Sequence, residues 1–204
     1  SPAVLKTAIA GFLDDAEPAT VSRPLALILP HAGYIYSGQI AADGYNQARG
    51  NDYDTVVILG TNHTSPRFSR IGLYPGDGFA TPLGVARVDR SVMEALQAAC
   101  PDCVPNASVH EQEHSVEVQV PFIQVLFPDA KIVPVVVGAP DAALCERFGQ
   151  ALGRVLSGKK ALIVASSDLS HYPSYEDARA VDLPILEAIP TLELSRVQKA
   201  VQDG

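Results

Sequence analysis

Three histidine-bearing loops follow directly after short apolar segments of the chain. The segments and the histidines that follow them are residues 25–29 with His31, residues 55–59 with His63, and residues 161–165 with His171. In an α/β protein such segments form buried parallel strands, and functional sites assemble in the loops at their carboxyl ends. Three of the five histidines are therefore expected at one edge of a sheet, which suggests a metal or an acid–base centre.

These loop histidines suit transition-metal chemistry. Neutral imidazole binds iron, copper, zinc or nickel, and two histidines with one carboxylate or thiolate leave positions open for oxygen handling or hydrolysis. A single loop histidine is more often a solvated or locally hydrogen-bonded side chain. Because the pattern recurs at three equivalent strand ends, the metal hypothesis and this simpler interpretation both stay open.

Asp168 lies three residues before His171 in a turn rich in serine and aspartate. Such an aspartate can orient a histidine, bind a metal or act as a base. It can equally be the N-cap of the helix that follows, a common role for aspartate in a turn. The spacing alone does not decide between these roles.

A second group of ionisable residues consists of Glu113, His114 and Glu117. The two carboxylates are four residues apart and would share a helix face, with His114 beside them. Two like charges this close do not stabilise a helix, which suggests a site. A solvated helix face explains the same residues without one.

His110 to His114 spell H-E-x-x-H, the motif of zinc peptidases, with Glu111 in the position of the general base. That motif works only when both histidines face inward from one established helix. Residues 105–108 precede it without an apolar helical stripe, so the motif is expected at a helix start. A zinc peptidase is kept as an outside alternative.

The cysteines do not predict a disulfide framework, since there are only three of them, and an odd number fits a reducing compartment. Cys100 and Cys103 have C-x-x-C spacing in a turn that contains proline and aspartate. No second C-x-x-C pair accompanies them. A plain loop is the preferred interpretation, with a redox or zinc role as the alternative.

The composition is that of an ordinary globular protein, with 47% hydrophobic and 19% charged residues. A net charge of −8 without a basic cluster argues against nucleic acid and against anionic membranes as partners. No apolar run reaches the roughly 18 residues that a membrane span requires, and the first residues lack the features of a signal peptide. The sequence therefore predicts a cytoplasmic protein.

Strand-like and helix-like segments alternate along the chain, which predicts an α/β fold: a mostly parallel central sheet with helices on both faces. Ser91 and Glu94 have capping-box spacing, which predicts a helix from Ser91 through Cys100. Residues 115–120 are ambiguous, because Val116, Val118 and Val120 alternate as in a strand while His114 and Glu117 have helical spacing.

Five motifs of this chain together resemble the Memo family, whose bacterial and archaeal members are called AmmeMemoRadiSam system protein B. The motifs, in family order, are P-H-A-G-Y-I-Y-S-G at 30–38, L-G-T-N-H at 59–63, T-P-L-G at 81–84, E-H-S-V-E-V-Q-V-P-F at 113–122 and S-S-D-L-S-H at 166–171. The resemblance runs from about residue 4 to the end of the chain. It implies a fold similar to the class III extradiol dioxygenases, which hold non-haem iron(II) in an α/β scaffold.

The resemblance also implies roles for individual residues. His31 and His63 match the two histidines that bind metal in the family. Catalytic roles in the same pocket are implied for His114, Asp168 and His171. Tyr36 matches an aromatic residue at the pocket mouth, and Glu113 lies in the same motif as His114. Both are expected to bind substrate. His110 lies outside the family pattern, and residues 115–125 are implied to be helical.

One family feature has no counterpart in this chain. The third metal ligand of the family is a cysteine in a Cys-Gly motif beyond the position of Gly204, and Cys100, Cys103 and Cys145 do not match it. The expectation is a single Memo-like domain over residues 1–204 that lacks its C-terminal strand and helix.

Three functions remain open at this stage. The first is an oxidoreductase of unknown substrate that uses iron(II) or, because a thiolate ligand is soft, copper. The second is a binding module that holds a peptide or phosphopeptide in the same pocket. The resemblance implies this function because family members in animals are linked to phosphopeptide recognition. The third is the zinc peptidase. The expected partner is accordingly a small molecule or a peptide.

Overall fold

A six-stranded central sheet with strand order β1-β8-β2-β7-β3-β6 forms the core of this computed structural model, which describes residues 1–138 and 141–203. The strands are β1 (Ala26–Leu29), β2 (Thr55–Thr61), β3 (Ile71–Leu73), β4 (Gly78–Thr81), β5 (Gly84–Arg87), β6 (Cys103–Pro105), β7 (Lys131–Val137) and β8 (Ala161–Ser166). The first four strands of that order are mutually parallel, whereas β3 runs antiparallel to β7. Strands β4 and β5 form a separate hairpin.

Helices flank the sheet, which confirms the predicted α/β class with a mostly parallel sheet. The helices are α1 (Pro2–Asp14), α2 (Tyr34–Asn46), α3 (Arg90–Ala99), α4 (His114–Glu117), α5 (Val120–Leu126), α6 (Ala142–Leu156), α7 (Tyr175–Ala188) and α8 (Leu194–Asp203), with a 3-10 turn at Ile189–Thr191. None of the described helices combines the length and the apolar character needed to cross a membrane.

The central strands are buried on both faces because they lie between layers of helices. Val56, Val57 and Ile58 of β2 are fully buried, and so are Ile132 and Val133 of β7. Such continuous runs of β-branched residues are typical of parallel strands covered on both sides. They fix the positions of the loops that leave β2 and its neighbours.

The three strands that precede the loop histidines are adjacent in the sheet. Strand β8 lies between β1 and β2, with Leu29 paired to Ser166 and Leu59 paired to Ala165. Because all three strands are parallel, their carboxyl ends reach the same edge of the sheet. The strand arrangement predicted from the sequence is therefore confirmed.

Two local predictions need correction or resolution. Asp89, not Ser91, caps α3: its carboxylate accepts from the Val92 amide at 3.2 Å, and the Ser91 hydroxyl donates to the same carboxylate at 2.7 Å. The helix thus begins one residue before Ser91. The ambiguous segment 115–120 contains no strand: residues 115–117 belong to α4, residues 118 and 119 form a turn, and α5 starts at Val120. Pro121, next to that start, is a residue favoured in the first turn of a helix.

The chain divides into two compact units, Ser1–Ser167 and Asp168–Gly204. The first contains the sheet and helices α1 to α6. The second contains α7, the 3-10 turn and α8.

Candidate metal centre

Three histidines of the first unit come together into one cluster. His31, His63 and His114 each offer a ligand nitrogen, and these atoms lie within 4.8 Å of one another. Their ring centroids are 5.2 Å apart for His31 and His63, 5.5 Å for His31 and His114, and 4.6 Å for His63 and His114. A single ion can therefore reach all three side chains.

Two strand ends and one helix start supply these side chains. His31 follows β1 and His63 follows β2, while His114 is the first residue of α4. Helix α4 packs on the end of β2, where the Ser115 hydroxyl donates to the Thr61 carbonyl at 2.9 Å. Gly60 permits this approach, since a Cβ atom there would lie 2.6 Å from Ser115 Oγ and from Val116 Cγ2.

Glu113 holds His63 with both carboxylate oxygens. Its Oε1 lies 2.9 Å from His63 Nδ1, and its Oε2 accepts from the His63 backbone amide at 2.7 Å. Burial by itself raises the pKa of Glu113. The bonds from His63 and from the Ser115 amide outweigh this effect, so that the pKa falls to about 2. The carboxylate is ionised at neutral pH, so His63 Nδ1 carries a proton. In the neutral ring this leaves the lone pair on Nε2.

The two remaining members of the cluster differ in their surroundings. His31 is 97% buried, and its Nδ1 lies 3.1 Å from the hydroxyl of Ser166 at the end of β8. The His114 side chain is half exposed and stacks on the ring of His63. Its Nδ1 is 3.8 Å from Glu113 Oε1, which is too long for a hydrogen bond.

This donor set fits a divalent transition metal. Imidazole nitrogen is a borderline ligand that suits iron, copper, zinc and nickel. The Glu113 carboxylate behind His63 adds a compensating negative charge and orients the ring, as carboxylates do behind metal-binding histidines in proteins. A proton relay between uncoordinated histidines would not require three ligand nitrogens so close together.

An apolar recess of about 420 Å³ opens at the same edge of the sheet, where β2, β7 and β8 end. It is lined by Leu59, Asn62, Pro66, Val137 and Ala165, among others. Asn62 directly precedes His63 in the chain. The recess is large enough for the apolar part of a small molecule.

Asp168 and His171 lie in the second unit and contact each other. The two side chains approach to 3.3 Å between Oδ2 and Nε2, and His171 Nδ1 donates to the Leu169 carbonyl at 2.8 Å. The structure brings this pair together, and its catalytic role stays a prediction.

Tyr36 lies in the first turn of α2 and is 80% exposed. Exposure is consistent with a contact to an incoming ligand, but no described contact links Tyr36 to the three histidines. Its role in substrate binding stays a prediction, as does that of Glu113, whose described bonds are to His63 and Ser115.

His110 does not join the cluster, and the H-E-x-x-H spelling does not form one helix. The residues from Ser108 to Gln112 are in turns, and α4 begins only at His114. The His110 ring is buried and its Nε2 lies 3.2 Å from the Gly72 carbonyl. Burial lowers its pKa to about 4. The zinc-peptidase alternative therefore lacks the geometry it requires.

The sequence did not identify the residues that support His31. Ser166 contacts the His31 ring and Gln119 donates to Ser166 Oγ, but the two motifs in which they stand do not indicate this role. The available signal was that Gln119 lies between two valines and that Ser166 directly follows an apolar segment, so that burial would force each to find hydrogen-bond partners. Both are at least 98% buried.

Comparison with known proteins shows the family of this chain. The family model described as "Memo-like protein" matches residues 1–203. A MEMO1 family protein of Aquifex aeolicus is 40% identical over 91% of this chain and 69% of its own length. For MEMO1 family proteins of Caldivirga maquilingensis and Archaeoglobus fulgidus the identities are 38% and 32%, over 83% and 98% of this chain and 61% and 75% of their own lengths. The chain thus spans about two thirds of the relatives it matches, and it belongs to the Memo family.

Proposed function

We propose that this chain binds one iron(II) or copper ion through His31, His63 and His114 and that the bound metal supports oxidoreductase chemistry. The observation that carries the proposal is the approach of three imidazole ligand atoms to within 4.8 Å. The Glu113 carboxylate behind His63 supports it, because it places a lone pair on Nε2 and balances the charge of a cation.

For His114 we propose a role as a metal ligand in place of the proton transfer that the sequence led us to expect. Its ring stacks on His63 within ligand distance of His31, so we propose it as the third donor in this chain. Asp168 and His171 keep the proposed role of moving protons, since a carboxylate in contact with an imidazole can orient that ring for proton transfer.

A bound iron(II) or copper ion would supply one-electron and oxygen chemistry. The chain's own residues orient the ligands: Glu113 fixes the His63 ring, and α4 holds His114 against the end of β2. Similarity to extradiol dioxygenases is part of this proposal and rests on the resemblance of the motifs. Ring cleavage does not follow from a shared fold, because one fold serves many reactions.

The ligand of the site is proposed to be a small molecule or a peptide with an apolar part. The recess at the ends of β2, β7 and β8 supports an apolar group, since Leu59, Val137 and Ala165 line it. Cytoplasmic location and the lack of a nucleic-acid partner, both expected from the sequence, belong to the same proposal.

Metal analysis tests the proposal. Protein purified without chelators is measured for iron, copper and zinc by mass spectrometry, and metal-free protein is titrated anaerobically with iron(II). We expect one metal per chain, and its loss in His63→Ala and in His114→Ala, whose side chains are partly exposed. His110→Gln is the matched control because it changes a histidine outside the cluster.

Each outcome separates the candidate functions. Full metal content in both His63→Ala and His114→Ala overturns the proposed centre. Metal loss in His110→Gln with retention in His63→Ala supports the peptidase. Oxygen uptake by the iron(II)-loaded protein, absent from His63→Ala, supports the oxidoreductase, whereas peptide binding that survives chelation supports a binding module.

A further inference from the structure

We propose that Ser166, oriented by Gln119, fixes the ring tautomer of His31 so that Nε2 is its metal-binding atom. Both are positioning residues, since they act through His31 and through each other. The inference rests on the proposed metal-binding function and deepens it, because it says what sets the strength of metal binding at the buried ligand.

The single proton of the Ser166 hydroxyl is already committed. Ser166 Oγ lies 2.6 Å from the backbone carbonyl of Ser115, a group that can only accept. The hydroxyl must therefore donate to this carbonyl. Every other partner of Ser166 Oγ then has to supply its own hydrogen.

Gln119 supplies one such hydrogen, and its orientation is fixed. Its Nε2 lies 2.9 Å from the Pro30 carbonyl, so this atom is the amide nitrogen, and the same nitrogen donates to Ser166 Oγ at 2.9 Å. On the other side its Oε1 accepts from the hydroxyl of Tyr45 at 3.0 Å. In a flipped amide, the oxygen of Gln119 would face the Pro30 carbonyl, which can only accept. It would also face the Ser166 hydroxyl, whose single proton is already donated to Ser115.

His31 must then donate to Ser166. The contact between His31 Nδ1 and Ser166 Oγ is 3.1 Å, and with the serine proton directed at Ser115 it is favourable only if Nδ1 carries a hydrogen. In the neutral ring this places the lone pair on Nε2. The result is the same tautomer that Glu113 imposes on His63.

The two histidines reach this tautomer by different means. At Nδ1, His63 faces an ionised carboxylate, whereas Nδ1 of His31 faces a neutral hydroxyl inside a buried network. His31, Ser166, Gln119 and Tyr45 are all at least 97% buried, so water cannot replace a lost partner without opening the core. Residues behind metal ligands typically change metal affinity about 10- to 100-fold when substituted.

The test begins with nitrogen NMR of metal-free protein labelled with ¹⁵N-histidine. We expect His31 in the wild type to show a protonated Nδ1 and an unprotonated Nε2. In Ser166→Ala the acceptor is lost, and the signals should move toward a protonated Nε2. Gln119→Met removes the donor that keeps the serine proton on Ser115, so a smaller shift in the same direction is expected.

Metal affinity is the second measurement, with cobalt(II) as the spectroscopic probe. We expect affinity to fall about 10- to 100-fold in Ser166→Ala and less in Gln119→Met. Ser91→Ala and Gln124→Met are matched controls, because Ser91 bonds the α3 cap and Gln124 bonds the β4–β5 hairpin. Both controls should keep wild-type affinity and wild-type His31 signals.

The outcomes distinguish this inference from the proposed function. A protonated Nε2 on His31 of the wild type overturns the inference even when Ser166→Ala does not fold. So does wild-type metal affinity in a folded Ser166→Ala whose His31 signals are unchanged. Failure of the wild type to bind cobalt, iron or copper overturns the proposed function, and the NMR spectrum still decides which nitrogen of His31 carries the proton.

Discussion

Glu113 illustrates how much of the centre depends on single side chains. It caps α4 by accepting from the Ser115 amide, and the same carboxylate binds both the ring and the backbone of His63. One residue therefore fixes the start of a helix and the tautomer of a ligand. Its side chain is fully buried, which explains why its three described hydrogen bonds replace water rather than compete with it.

Glu113→Gln tests this double role at the residue scale. The amide keeps the shape but loses the charge, and one of its two ends can no longer accept from His63 or Ser115. We expect cobalt affinity to fall about 10- to 100-fold. Glu117→Gln, at the exposed end of α4, is the control and should bind like the wild type; equal affinity in both variants would contradict the role of Glu113.

A pH-dependent stability is expected from His110. Burial lowers its pKa from 6.5 to about 4, so between these values the unfolded chain binds a proton that the folded chain does not. The contribution of His110 to the free energy of unfolding is complete above pH 6.5 and is lost as the pH falls toward 4. Between pH 7 and pH 5 the free energy of unfolding should fall by about 2 kcal/mol through this residue.

Urea unfolding at both pH values measures the effect. His110→Gln keeps a donor for the Gly72 carbonyl but does not titrate, so it should lose less stability than the wild type on going to pH 5. An equal loss in the two proteins would show that His110 does not titrate as its burial requires.

At the scale of elements, the contact between α4 and β2 brings His114 to the other two histidines. Gly60 is the position where the helix comes closest to the strand, and any side chain there would meet Ser115 and Val116. This role explains why a glycine stands inside an otherwise apolar strand, where it weakens the strand.

Gly60→Ala should move α4 away from β2. We expect the free energy of unfolding to fall by about 1–3 kcal/mol and metal affinity to fall with it, because His114 is displaced. Gly153→Ala in α6 is the control: its Cβ would meet nothing within 4 Å, and the change should stabilise the protein by about 0.5–1 kcal/mol. Unfolding and cobalt titrations of both variants provide the measurement, and wild-type behaviour of Gly60→Ala would contradict the packing argument.

Much of this scaffold could be predicted from local patterns. The apolar segments before His31, His63 and His171 were predicted as parallel strands that end at one edge of the sheet, and this prediction is confirmed. The α3 cap and the segment 115–120 were harder, because neighbouring residues offered competing caps and alternating valines fit two periodicities. Ser166 and Gln119 could not be assigned, since their role depends on partners 135 and 89 residues away in the chain.

At the scale of the whole molecule, the three proposed ligands lie far apart in sequence and all belong to Ser1–Ser167. A metal bound by all three can bind only the folded unit with full strength. Ligand binding of this kind stabilises the native state by about 2.7 kcal/mol when the metal concentration is 100 times Kd.

Thermal unfolding with and without metal tests this linkage. For a chain of this size we expect cobalt(II) at that concentration to raise Tm by about 5–10 °C and EDTA to reverse the change. His63→Ala should show no shift, and a shift as large as that of the wild type would mean that the ion binds elsewhere.

The strand order has a consequence for biosynthesis. Strands β1 and β2 are separated in the sheet by β8, which is synthesised last of the eight strands. A ribosome that has released residues 1–160 has already delivered His31, His63 and His114, yet the strand that belongs between the first two, and Ser166 with it, has not emerged. An ion held by all three histidines would therefore mark a chain in which β8 has already entered the sheet between β1 and β2.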